Sequence, residues 1–485
     1  MTDQDRLIEM IMDEFKGLAR HPRPSHHEKA VSDYLVNRLH TLGVTDVIQD
    51  DVYNVIANVP ATAGYEKAPL TLIQGHMDMV CVAKPGYPFN PLTSEIKLIR
   101  EGNILHADHT SLGADDGAGV ASALILLQLG VEVEHGPLRI IFTTDEETSM
   151  TGATHLDSRY IQDLDYIINV DSEELDVICM GSAGSCHTRF TRIINWGETA
   201  DTMALHLRTH GFRGGHSGAT IHQGKGNAIQ AMAEALLDLR NAGIDYRLSG
   251  INGGDASNAI PADCDAIIVI SPDNEGKVRE VLHAWSEKFH RMFHGIEDQA
   301  ELLIQPDEVP QRVFSASDTE MLVDLLCMLH SGIYVMNQTY ANLPELSANI
   351  GTIQTTEEAV SFEYLPRSGE DDRLQELLQK LPLFAKLTGF AYEQGNAEPA
   401  WTVNTESKLA PIYEKAFEKI TGRKPRTEAI HGGLETGRFY HLNPSADIIS
   451  VGPNTHAIHS ADESVELDSI AIMIQVIAET LKALK

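Results

Sequence analysis

At 485 residues the chain is longer than one hydrophobic core organises, so two or three domains are expected. Seventy acidic residues against 37 basic ones give a net charge of −33, which argues against nucleic acid and anionic membranes as partners. Five cysteines without C-x-x-C spacing disfavour a disulfide framework, and no apolar run reaches the ~20 residues that span a bilayer. Asp3, Asp5 and Glu9 make the N-terminal stretch unlike a targeting peptide, so a cytoplasmic setting is expected.

In chain order, apolar residues at helical spacing predict helices over 4–17 and 28–42, separated by the breaker His21-Pro-Arg-Pro-Ser25. Two short strands are expected within 47–59. The run from Pro69 to Asp78 (P-L-T-L-I-Q-G-H-M-D) predicts a buried strand that ends in His76 and Asp78. Ligands of open α/β sheets bind beyond strand carboxyl ends. There the imidazole of His76 can take a metal while Asp78 orients its ring. The glycine-rich segment 105–119 carries Asp115 and Asp116, with a helix expected after Gly117. Asp116 can be read as a helix cap, whereas the glycines around Asp115 let the backbone approach a ligand. Strands are predicted over 138–144, running into Asp145-Glu146-Glu147, and over 166–170, running into Asp171.

From residue 204 the pattern changes. Strand, helix, strand, strand, helix and strand are expected between 204 and 305, with His216 in the loop G-F-R-G-G-H-S-G. That is a ferredoxin-like order, and a second similar run is expected from 318 to 394, including one helix over 373–388. From Trp401 the chain returns to the style of its first part. A strand over 447–451 leads to a loop holding His456 and His459, and 464–484 reads as a closing helix. The expected architecture is α/β: a mixed-sheet catalytic domain, residues 1–187 and 397–485, interrupted by an inserted α+β lid over 188–396 made of two ferredoxin-like halves.

The candidate ligands are thus His76, Asp115, Glu147, Asp171 and His459, two imidazoles and three carboxylates. Nitrogen and oxygen ligation of this kind suits Zn²⁺, with Mn²⁺ or Co²⁺ as alternatives. Five ligands exceed the three that one catalytic zinc usually takes from protein, and suit two divalent metal ions sharing a carboxylate and a water. Glu146 is then free to take the proton of that water.

The motifs G-H-M-D (75–78), L-G-A-D-D-G-A-G (112–119), T-D-E-E (144–147), N-V-D-S-E-E (169–174), G-G-H-S-G (214–218), S-N-A-I-P (257–261), H-G-G-L-E (431–435) and I-H-S-A-D-E (458–463) together resemble the dinuclear zinc peptidases that include peptidase T, glutamate carboxypeptidase and carnosinase, and within them the aminoacyl-histidine dipeptidases. The resemblance spans essentially the whole chain. It implies that Asp115 bridges the two ions, that His76 and Asp171 hold one and Glu147 and His459 the other, and that Glu146 is the general base. It also implies that Asp78 orients His76 and that His216 stabilises the tetrahedral oxyanion. Many relatives carry Lys where this chain has Gly117; the dipeptidase subgroup shares that departure.

The implied reaction is hydrolysis of unblocked dipeptides, Xaa-His among them, by a metal-bridging hydroxide. The alternatives are an N-acyl amino acid deacylase, a tripeptidase, or a non-catalytic zinc-binding descendant; retention of Glu146 speaks against the last. A dipeptidase must recognise a free carboxylate, for which Arg367 is suited if it does not simply cap a turn; Asn258 is a similar candidate, and Glu435 is either a surface residue or a partner for the substrate amine. His222, His431 and His456 are weaker candidates near the substrate, and Cys81 is read as packing. Because the insertion is about twice the size of one ferredoxin-like unit, a homodimer is not expected to be required for catalysis: His216 and Arg367 would serve their own chain.

Overall fold

Short runs of β-branched and apolar residues build the sheet that positions the candidate site. In the computed structural model, which describes residues 3–199 and 202–485, eight strands form one mixed sheet. Its centre is four parallel strands in the order Leu138–Thr143, Thr71–His76, Tyr166–Asn169 and Asp447–Ser450. Strands Asp46–Gln49 and Val55–Val59 extend one side antiparallel, and Val177–Ser182 and Arg426–Ile430 extend the other. Met1 and Thr2, part of the N-terminal stretch read above, lie outside the described residues.

Neighbouring residues of each central strand divide between two cores, as alternation in a strand demands. Ile73, Ile140, Ile168 and Ile449 pack with helices Asp3–Ala19, Lys29–Thr41, Ala114–Leu129, Leu409–Thr421 and Leu467–Ala483. Leu72, Ile141, Ile167 and Ile448 face the opposite way, onto Ala153, Leu156 and Phe439. A sheet covered on both faces explains why its strands read as continuous apolar runs.

The helix Ala114–Leu129 differs from expectation in two ways. It begins before Gly117, although Asp115 and Asp116 have non-helical backbone angles. With its continuation to Glu132 it is also long and apolar enough to cross a membrane by length and composition, which corrects the reading above; 67% of its most apolar window is buried inside the protein. All five cysteines are free.

The chain divides into two compact units: residues 1–181, 401–429 and 434–485, and residues 182–400 with 430–433. In the second unit, strands Met203–His210, Tyr246–Gly253, Cys264–Ile270 and Glu301–Asp307, with helices Ala228–Asn241 and Glu275–Met292, form a ferredoxin-like half. The other half does not simply follow it. Its first strand is Gly184–Ile193, which precedes the first half and pairs with Ala359–Ser368 and Ala391–Glu398. One half is therefore nested in the other, and the two join edge to edge through Gly253 and Ile353 in a nine-stranded sheet. The helix expected over 373–388 is two helices, Asp371–Leu378 and Leu381–Thr388, since Pro382 lacks the N–H to continue a helix and sits at the start of the second.

Candidate active site

Parallel pairing in register brings the carboxyl ends of the four central strands to one edge of the sheet, where the candidate residues gather. His76 ends its strand and is almost fully buried. Glu146 and Glu147 follow the strand ending at Thr143, Asp171 follows the one ending at Asn169, and His459 lies in the loop after the strand ending at Ser450. Asp145 and His459 both have left-handed backbone angles, with φ of +57° and +58°. For non-glycine residues such strain concentrates at functional sites.

Asp115 lies between the imidazoles. Its Oδ1 is 3.0 Å from His76 Nε2, and its Oδ2 is 3.2 Å from His459 Nε2. His76 Nε2 is also 3.5 Å from Asp171 Oδ1, and His459 Nε2 is 2.8 Å from Glu147 Oε2. The five predicted ligands thus form two groups of three donors that share Asp115. Asp78 supports them from behind. Its Oδ1 lies 3.3 Å from His76 Nδ1, an ionic contact without good hydrogen-bond alignment, and accepts the Glu146 N–H at 3.1 Å. Its Oδ2 accepts from Ser25 Oγ at 2.8 Å and from the Glu147 N–H at 3.3 Å. Asp116 does not join the ligand groups. Its carboxylate accepts the N–H groups of Gly119 at 3.0 Å and His76 at 3.2 Å, pinning the helix start to the strand. That reach needs Gly75, where a Cβ would lie 2.2 Å from Asp116 Oδ2.

The electrostatics of this cluster suit a cation. Burial opposes charge on His76, yet the carboxylates of Asp171, Asp115 and Asp78 raise its pKa well above the usual imidazole value. Hydrogen bonds to Asp115 and Glu147 push His459 up to about 11. Asp115 is depressed against its burial by the two imidazoles, while burial lifts Asp171 to about 7. Burial also raises the Glu146 carboxyl well above the ordinary range, with His76 opposing and Asp171 and Glu147 adding to it. Among the described residues no lysine or arginine pairs with Asp115, Glu147 or Asp171. Buried Oε1 of Glu147 has no hydrogen-bond partner. Crowded carboxylates lacking fixed cations, an orphaned carboxylate oxygen and two imidazoles fit a pair of divalent ions.

The other predicted residues lie elsewhere. Glu435 is fully buried. Its Oε2 accepts from Gln74 Nε2 and Thr143 Oγ1, both at 2.6 Å, and burial raises its carboxyl to about 7. Its other oxygen, Oε1, has no hydrogen-bond partner, and its burial corrects the alternative reading of Glu435 as a surface residue.

His216, Asn258 and Arg367 belong to the second unit. His216 pairs with Ala259 in a two-residue ladder next to Asn258. The ring accepts the N–H of Ala219 at Nδ1, 3.0 Å away, so in the neutral ring Nε2 carries the hydrogen and can donate. Asn258 is exposed. Arg367 stands opposite Ser347 across two paired strands, and Ser347 Oγ is 2.7 Å from His431 Nε2. Arg367 is 7% exposed, and burial alone lowers its pKa to about 10. Burial, with Arg367 nearby, depresses His431 to about 3. A buried guanidinium beside a neutral imidazole suits an anion. His456, by contrast, pairs with Glu466 at 3.1 Å on an exposed ladder.

The model of peptidase family M20/M25/M40 matches residues 72–483. The chain belongs to this family. Over 477 residues this M20-family chain is 31% identical to the cytosol non-specific dipeptidase of Escherichia coli K12, covering 97% of each. Among solved structures it is similar to the aminoacylhistidine dipeptidase of Vibrio alginolyticus, with a TM-score of 0.87 and 31% identity over 98% of this chain and 96% of that one. The aminopeptidase PepT of Bacillus cereus shares the fold, with a TM-score of 0.57 and 17% identity over 98% of each.

The M20 site holds residues that sequence reasoning missed. Glu463 accepts four backbone N–H groups of the loop bearing Asp115, and Arg23, in the segment read only as a helix breaker, donates to Gly113 O at 2.6 Å. Neither follows a strand, and both act on backbone, so no pattern of side chains announced them.

Proposed function

We propose that this M20 peptidase is a cytosolic metallopeptidase that hydrolyses unblocked dipeptides, Xaa-His among them. The observation that carries the reading is Asp115, whose two oxygens each face an imidazole flanked by a further carboxylate. His76 and Asp171 would hold one divalent ion and Glu147 and His459 the other, with Asp115 shared and Zn²⁺ the foremost choice. When bound, such ions acidify water and polarise a carbonyl. Asp78 holds the His76 ring in place. Glu146 takes the proton of the attacking water and returns it to the leaving amine as the C–N bond breaks. His216 donates Nε2–H to the oxygen that becomes negative at the tetrahedral carbon. Arg367 takes the free carboxylate of the substrate, with Asn258 as a further polar contact. Support for the substrate class comes from the unpaired guanidinium of Arg367 and from the two relatives named dipeptidases.

The test is a panel of dipeptides, tripeptides and N-acetyl amino acids offered to zinc-loaded protein. Dipeptides, including those ending in His, should be cleaved fastest. Rapid turnover of N-acetyl amino acids with dipeptides untouched would transfer the assignment to a deacylase.

Because the nested halves give each chain two ferredoxin-like modules, catalysis is proposed to need no partner subunit. Mixing inactive His216→Ala and Glu146→Gln chains under subunit exchange should leave activity near zero. Recovery to roughly a quarter of wild type, the share of restored sites in a dimer that exchanges lids, would refute this.

A further inference from the structure

Two loops meet at the candidate site because a small sheet holds their roots together. Strand Ile104–Ala107 pairs antiparallel with Ser464–Glu466, His106 opposite Ser464. The chain leaving Ala107 leads to Asp115, and the chain entering Ser464 comes from His459. Between them lies Glu463, 3% exposed. Its Oε2 accepts from the N–H groups of Leu112 at 2.8 Å and Gly113 at 2.9 Å. Its Oε1 accepts from Ala114 at 2.7 Å and Asp115 at 3.3 Å.

Four successive amides can converge on one carboxylate only where the chain curls into a concave nest. The curl is set by Gly113, with φ of +70°. Glycine is required there for a second reason: a Cβ would lie 2.4 Å from Nη2 of Arg23. Arg23 is itself 2% exposed and grips the Gly113 carbonyl from the other side. The loop is therefore held by an anion on its N–H side and a cation on its C=O side. The far loop is equally fixed. Ser460 Oγ donates to Ala457 O at 2.7 Å, the Glu463 N–H donates to Ser460 O at 3.3 Å, and Lys84 pairs with Asp462 at 2.7 Å.

We propose that Glu463 is a positioning residue that sets the shared carboxylate of Asp115 for both ions and ties it to His459 through backbone, independently of any metal. The proposal rests on the dinuclear reading above. It makes a specific demand on chemistry. All four partners are donors, so only an acceptor on both oxygens satisfies them, and glutamine would turn an NH₂ group against two N–H groups.

The experiment is metal titration of chelated protein by calorimetry. Wild type binding two Zn²⁺ ions tests the dinuclear reading by itself. Glu463→Gln should then lose affinity at both sites by at least ~10-fold, the scale seen when a group that orients a metal ligand is removed. Its metal-free thermal midpoint should fall, because two buried N–H groups lose their acceptor, while the protein remains folded. His459→Ala, in contrast, should lose mainly one ion. Wild-type affinity at both sites of Glu463→Gln, or a loss confined to one, would overturn the assignment. If Glu463→Gln does not fold, hydrogen exchange of chelated wild-type protein decides. The amides of 112–115 should be protected without metal, and rapid exchange there in the folded protein would overturn the proposal.

Discussion

Asp115→Ala should bind neither ion tightly and should lose kcat/KM by about 10³-fold or more. The reasoning is geometric. Asp115 is the only donor common to both groups, so its removal leaves His76 with Asp171 and His459 with Glu147, two ligands each. Three protein ligands are the usual number for a catalytic zinc. Several kcal/mol of charge stabilisation go with the metals, and each 1.4 kcal/mol is tenfold in rate. Elemental analysis after zinc loading and gel filtration, alongside turnover of a dipeptide, reads both quantities. Two ions retained in the variant would refute the shared role of Asp115.

Glu146→Gln should behave differently. Here both ions should remain, KM should change little, and kcat should fall by at least ~10²-fold, the scale of a general acid–base group. Glu146 belongs to neither donor group, yet its backbone is pinned to the same Asp78 that backs His76. Burial lifts its carboxyl far above the ordinary range, toward the basicity a proton carrier needs. Near-normal kcat with both ions bound would reassign the base.

The five proposed ligands were legible because each follows a strand or lies in a glycine-rich turn, and parallel strands in register must end at one edge. Short continuous apolar runs likewise announced the central strands. What stayed hidden had physical reasons. Glu463 acts on amides some 350 residues away through its carboxylate alone, so although it closes the motif at 458–463, nothing there showed what it holds. The burial of Glu435 was hidden because its partners, Gln74 and Thr143, lie on strands remote in sequence. The nesting in the second unit was invisible because Gly184–Ile193 finds its partners more than 160 residues later, and strand order cannot be read from strand propensity. Pro382, however, was in plain view, and a stricter reading of it would have split the helix.

That nesting bears on how the chain comes off the ribosome. The inner ferredoxin-like half, Met203–Asp307, is contiguous and can close as soon as it emerges. The outer half cannot: its first strand must wait for Ala359–Ser368 and Ala391–Glu398. At 5–20 residues per second, the roughly 210 residues between Gly184 and Glu398 take about 10–40 s to synthesise. For most of that interval, until Ala359–Ser368 has been made, the apolar side of Gly184–Ile193, which includes Phe190, has no native neighbour strand on either edge. A chaperone that shields short apolar strands would find its natural client there, and the outer half, rather than the inner, is where translation speed should govern the yield of active enzyme.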